Sequence, residues 1–265
     1  MGPLETDYSS SDAACEYLEI SSYPESLREA RSHFCPGCTH GLVHRLIGEI
    51  IDELGARERA VCVAPVGCAV FAYDYFRFDV CEAPHGRTPC VATGIKRVHP
   101  EHLVFSYQGD GDLAAIGCGE IMHTANRGEN ITVIFINNGV YGMTGGQMAP
   151  TTLPGQKTLT TPAGRSPLQG GHPMNILDMI ALTPGAAFVA RTCATSPKNV
   201  VRCKRMIRKA FAVQEARAGF AIVEVLGTCP VGWHMTPLEC NRRIDEEVVR
   251  HYPLKVLKDT SGLAD

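Results

Sequence analysis

The 265-residue chain is first limited by what it lacks. No stretch approaches the roughly 18 consecutive apolar residues of a membrane-spanning helix, and no basic segment precedes a short apolar run at the N-terminus, so neither a membrane protein nor a secreted one is expected. Positive charge is not in excess: 25 Lys and Arg face 28 Asp and Glu, a formal net charge of −3, which gives no reason to expect nucleic acid. There is no nicotinamide or flavin glycine fingerprint, no internal repeat and no long low-complexity tract. The first 27 residues contain no Lys or Arg, carry Glu5, Asp7, Asp12, Glu16, Glu19 and Glu25, and include the run Ser9, Ser10, Ser11. They read as a loosely ordered acidic extension, residues 1–27, ahead of a single domain at 28–265. A chain of this length buries a sizeable core without covalent staples.

Cysteine, by contrast, is abundant. Twelve cysteines in what is expected to be a reducing, cytoplasmic protein point to metal or redox chemistry sooner than to disulfides. Cys35 and Cys38 stand two residues apart around a Pro-Gly turn in "HFCPGCTHG". That spacing opens a disulfide, a zinc site, a redox dithiol or an iron–sulfur cluster, and the stretch alone does not choose among them.

Beyond the turn, Val43, Leu46, Ile47, Ile50, Ile51 and Leu54 recur at helical spacing until Gly55, so the cysteines sit at a helix entrance. Apolar runs of strand length follow: "AVCVA" from Ala60, "LVFSY" from Leu103, "ITVIFIN" from Ile131, "AAFVA" from Ala186 and "FAIVEVL" from Phe220. Helical patterns over 113–127 and 198–217 lie between them. Apolar strands alternating with helices predict an α/β fold, a mostly parallel sheet with helices on both faces. Such sheets bind ligands beyond the carboxyl ends of their strands.

The segments at those ends are glycine-rich. "QGDGDLAAIG" follows the strand at 103, and "NNGVYGMTGGQ" follows the strand at 131, with 25 residues between Gly111 and Asn137, enough for one helix and one strand. Two such turns side by side offer backbone N–H groups to a diphosphate and a carboxylate with a carboxamide oxygen to a hard divalent cation.

GDG, about 25 residues, then NN is the thiamine diphosphate motif. Together with "HFCPGCTHG", "PVGCAVFAYDYF", "HGRTPCVATGIKR" and "NNGVYGMTGGQMAPTT", it makes the chain, from about His33 to Pro237, resemble the thiamine-binding beta subunit of 2-oxoacid:ferredoxin oxidoreductases of the 2-oxoisovalerate and 2-oxoglutarate type. The resemblance implies that Asp110 and Asn138 bind Mg²⁺ through their side chains and Val140 through its carbonyl. Gly67, His85, Gly86, Gly109, Gly111, Asp112, Gly142, Met143 and Thr144 would then contact the thiamine diphosphate.

It also implies a [4Fe–4S] cluster held by Cys35, Cys38, Cys68 in "VGCAV" and Cys229 in "GTCPVG". The last two lie just past strands, at the same predicted sheet edge as the thiamine turns. Four thiolates suit iron–sulfur or zinc. Oxidative chemistry on thiamine needs a one-electron acceptor, which zinc is not. The other eight cysteines read as packing residues. The long segment 139–175 reads as a functional or mobile loop, with Thr151, Thr152, Lys157 and Arg165 as candidates for substrate or neighbouring-subunit contact.

No residue in these motifs matches the glutamate that activates thiamine, so no catalytic side chain is assigned. The resemblance places that glutamate on an alpha chain, leaves room for gamma and delta subunits, and implies ferredoxin, coenzyme A and a 2-oxo acid as partners. Phe71 stands where some relatives carry a lysine. An aromatic wall there favours a branched-chain acid such as 2-oxoisovalerate over 2-oxoglutarate. A non-oxidative thiamine lyase and a zinc-stabilised structural subunit are the competing readings.

Overall fold

A computed structural model describes residues 22–264. Among the described residues there are nine strands: β1 Ala60–Ala64, β2 Asp79–Glu82, β3 Leu103–Gly109, β4 Thr132–Asn137, β5 Val140–Tyr141, β6 Gln147–Met148, β7 Ala186–Cys193, β8 Phe220–Leu226 and β9 Val256–Asp259. Seven form one sheet in the order β2-β1-β3-β4-β8-β7-β9, parallel except for β9, which pairs antiparallel with β7. β5 and β6 make a small antiparallel hairpin directly past β4.

The central strands are buried on both faces, which is why they read as unbroken apolar runs. Alternate side chains of one face, among them Cys62, Phe105, Ile134 and Val223, pack with helices Thr39–Glu53 and Pro197–Glu215. The other face, with Val63, Val104, Val133 and Ile222, packs with helices Thr88–Val98, Cys118–Arg127 and Ile176–Ala181. Each fully buried Leu, Ile, Val or Phe contributes roughly 1.5–3 kcal/mol of transfer free energy, so these two layers hold the frame. A third apolar cluster, including Val140, Leu153, Trp233 and Tyr252, covers the carboxyl end of the sheet.

The α/β expectation is met, and the adjacency of β3 and β4 sets the two glycine-rich turns beside each other. Residues 1–21 of the expected extension lie outside the described residues. Its last residues are packed: the Ser26 hydroxyl and N–H donate to Asp52 at 2.5 and 3.0 Å, and Leu27 is buried in a bridge to Phe76. Among the described residues, no helix is long and apolar enough to cross a membrane.

Candidate active site

The GDG and NN turns are joined by Asp110. Its carboxylate accepts the Gly111 N–H at 2.9 Å, the Gly139 N–H at 2.6 Å and the Thr151 hydroxyl at 2.9 Å. None of these donors carries a charge. Burial therefore prevails over the hydrogen bonds and pushes the carboxyl from its ordinary 3.8 up to about 6. A buried anion with three neutral donors and no cation is a suitable seat for a divalent metal.

The NN turn is held from behind. Trp233 donates its indole N–H to the Asn138 carbonyl at 2.9 Å, Thr152 donates to the Gly139 carbonyl at 2.5 Å, and the Asn138 side-chain oxygen accepts the Val140 N–H at 3.2 Å. Asn137 donates to Glu224 at 2.7 Å, and Glu224 pairs with the fully buried Arg191. After Asp110 the chain winds through a π-helical turn, Gly111–Ile116, a widened geometry common at functional sites.

Asp112 is buried and its oxygens are taken by four donors: His85 at 2.6 Å, the Gly86 N–H at 2.8 Å, Gln108 at 2.7 Å and Thr88 at 3.4 Å. It anchors the His85–Gly86 turn against β3. One cavity is lined by Gly67, His85, Gly109, Asp110, Gly111, Asp112, Asn138, Val140, Gly142, Met143 and Thr144. Gly86, the remaining residue of the expected set, is not among the lining residues.

The four expected cysteines share the adjoining cavity. In the CPGC turn the Cys38 N–H donates to the Cys35 carbonyl at 2.9 Å, and Cys38 caps helix Thr39–Glu53. Gly37 takes a positive φ of 79°, and a Cβ there would stand 2.5 Å from the Pro237 side chain, so only glycine closes this turn. Burial, then the neighbouring thiols, pushes Cys38 and Cys229 up to about 12 and raises Cys68 as well. Neutral thiols packed together in this way become thiolates when a metal supplies positive charge. Gly142 leaves the space between two of them: a Cβ there would lie 3.3 Å from the Cys229 sulfur and 3.5 Å from that of Cys68.

Several residues lacked a sequence signal for their place. His40 lines both cavities, bonds Tyr107 at 2.7 Å through Nδ1, and is held neutral as burial lowers it to about 4. Thr151 meets Asp110, while Thr152 and Arg165 act inside their own loop. Arg165 is buried and donates to the carbonyls of Ala149, Pro150, Thr152, Gly170, Gly171 and His172, so the long segment is pinned. Lys157 is exposed. Among the remaining cysteines, Cys62, Cys193, Cys203 and Cys240 are buried packing residues and Cys118 is half-buried. The packing expectation fails for Cys81 on the edge strand β2 and Cys90 near a helix start, both exposed. Cys15 lies outside the described residues.

The family model for "Thiamine pyrophosphate enzyme, C-terminal TPP binding domain" matches residues 66–225, the span that carries both turns. The chain is 36% identical over 217 residues to 2-oxoglutarate synthase subunit KorB of Archaeoglobus fulgidus, covering 82% of this chain and 77% of that one. The chain belongs to the thiamine diphosphate-binding subunits of the 2-oxoacid:ferredoxin oxidoreductases. It is also 46% identical over 231 residues to ketoisovalerate oxidoreductase subunit VorA of Methanothermobacter thermautotrophicus, 87% of this chain but 48% of that protein. The chain thus spans about half the length of the ketoisovalerate relatives it matches. Among solved structures, a 2-oxoglutarate:ferredoxin oxidoreductase from Magnetococcus marinus, with 2-oxoglutarate, coenzyme A and succinyl-CoA bound, superposes with a TM-score of 0.77 at 26% identity, over 94% of this chain and 88% of that one.

Proposed function

We propose that this subunit takes part in the coenzyme A-dependent oxidative decarboxylation of a 2-oxo acid to acyl-CoA and CO₂, with the electrons passing singly to ferredoxin. The observation that carries the reading is the sharing of one sheet edge by the Asp110–Asn138 cradle and the four-cysteine cavity: His40, Cys68, Asn138, Gly142 and Met143 line both. Thiamine diphosphate, when bound with Mg²⁺, supplies the carbanion chemistry that releases CO₂. Asp110, Asn138 and the Val140 carbonyl would hold the Mg²⁺. Gly109, Gly111, Gly142, Met143 and Thr144 would receive the diphosphate, with Gly67, His85 and Asp112 shaping the wall of the pocket and Gly86 holding Asp112 through its N–H.

Cys35, Cys38, Cys68 and Cys229 would hold a 4Fe–4S cluster. Four thiolates suit zinc as well as an iron–sulfur cluster, and the one-electron oxidation proposed here needs an acceptor that zinc is not. The activating glutamate would come from an alpha chain, which the name "subunit" on the relatives also supports.

For the substrate, no Lys or Arg lines the Asp110–Asn138 cavity among the described residues, Met143 is on its wall, and Phe71 lies on the adjoining cysteine side. A second substrate carboxylate would be buried there without a counter-charge, so an apolar branched-chain acid, 2-oxoisovalerate, fits best. The test is viologen or ferredoxin reduction by the chain reconstituted with its partner, comparing 2-oxoisovalerate, 2-oxoglutarate and pyruvate. The highest kcat/KM is expected with 2-oxoisovalerate. A clear preference for 2-oxoglutarate would overturn the substrate, and no coenzyme A-dependent reduction with any of the three would overturn the activity.

A further inference from the structure

At the opposite edge of the sheet, the connection into β3 reads His99-Pro100-Glu101-His102. His99 closes helix Thr88–Val98 through its N–H to the Ile95 carbonyl at 2.8 Å, and the His102 N–H donates to the His99 carbonyl at 3.1 Å. This is a β-turn with proline at its second position, where the ring's fixed φ favours the turn, and it sets histidines at the first and fourth positions beside each other. The two imidazole centroids are 5.0 Å apart. Lys96, nearly buried, reaches back to donate to the carbonyls of Pro100, at 2.9 Å, and His102. Its charge is spent on the backbone, which fixes the turn from below.

We propose that this turn is a binding site for a divalent transition metal, with His99, Glu101 and His102 as ligands. Their ligand atoms all lie within 4.8 Å of one another, the one such trio of His, Cys, Asp or Glu found among the described residues. Glu101 is the central ligand: its Oε1 stands 2.8 Å from His102 Nδ1 and 3.7 Å from His99 Nδ1. Donors bound at about 2.0–2.1 Å to one ion lie about 3–3.4 Å apart, so small rotations of exposed side chains complete the site. Two imidazoles and one carboxylate select Zn²⁺, Ni²⁺, Co²⁺ or Cu²⁺; Mg²⁺ and Ca²⁺ want oxygen ligands, and iron–sulfur clusters want thiolates. The length of β3, roughly 23 Å at about 3.3 Å per residue, separates the turn from Asp110, so the site is distinct from the cofactor pocket and does not rest on its assignment. A bound ion would tie the end of helix Thr88–Val98 to the start of β3.

The test uses the full-length, tag-free protein with its cysteine site loaded, titrated with Ni²⁺ by calorimetry beside the variant His99→Ala/His102→Ala. Wild type and variant carry the same cysteines, so the difference between them reads this site alone. One equivalent of Ni²⁺ bound by the wild type and lost from the variant is expected. Equal stoichiometry and affinity in the two proteins would overturn the proposal. Both replaced side chains are outside the core, and an unchanged melting curve in EDTA checks that the variant folds. Glu101→Gln, which keeps both imidazoles, is expected to bind the same equivalent more weakly, and wild-type affinity in that variant would remove the carboxylate and overturn the three-ligand site.

Discussion

At the scale of the residue, Asp110 carries the clearest imbalance. Its carboxyl is raised from 3.8 to about 6 by burial, so the cofactor-free protein has this stability in full below about pH 4 and loses it as the pH rises through about 6. A divalent cation restores it, and does so only where the carboxylate is ionised. Thiamine diphosphate with Mg²⁺ is therefore expected to raise the melting temperature more at about pH 7.5 than at about pH 5. Scanning calorimetry at the two pH values reads this directly. Asp110→Ala is expected to fold and to lose the shift at both, and a full shift in that variant would remove Asp110 from the cation's ligands. Gly142 offers a second test. In the metal-free protein an added methyl stands at 3.3 and 3.5 Å from two sulfurs, a tolerable contact, but it occupies the space a cluster needs. Gly142→Ala is expected to yield folded protein with little iron, measured per chain by elemental analysis, and wild-type iron content would contradict the placement.

At the scale of the element, the strands that were legible are the ones buried on both faces. β2 and β9 escaped because they are edge strands with half-exposed patterns, so no apolar run marks them. Helix Thr88–Val98 was concealed inside a string read for its motif, "HGRTPCVATGIKR". The segment 139–175, expected to be functional or mobile, shows no periodicity because much of its order comes from one buried side chain, and its Thr151 reaches the candidate site. Arg165 donates to six carbonyls spread over residues 149–172, a set of contacts that no local pattern announces. Arg165→Ala is expected to raise the rate of limited proteolysis between residues 149 and 172 by at least an order of magnitude, as the loop's opening loses several hydrogen bonds of about 1 kcal/mol each. It is also expected to loosen thiamine retention, since Thr151 reaches Asp110 from this loop. An unchanged digestion pattern would show that the loop is held elsewhere.

At the scale of the whole molecule, the candidate site was readable where it is made of contiguous turns and unreadable where it is assembled across the chain. GDG and NN are marked by their joint spacing, CPGC leaves four readings open, and the cysteines past β1 and β8 are singled out only by the family resemblance. Thr151 meets Asp110 from 41 residues away and Trp233 meets Asn138 from 95, distances at which only the sheet order brings partners together. A thiamine cradle and an iron–sulfur site side by side on one sheet edge would both be read in the composition of the anaerobically purified protein: iron, zinc, acid-labile sulfide and thiamine diphosphate per chain, with the electron paramagnetic resonance spectrum after reduction. A brown protein is expected, with about four iron atoms, matching sulfide, bound thiamine diphosphate, no zinc and a reduced-cluster signal. A colourless protein holding zinc and no iron would contradict it.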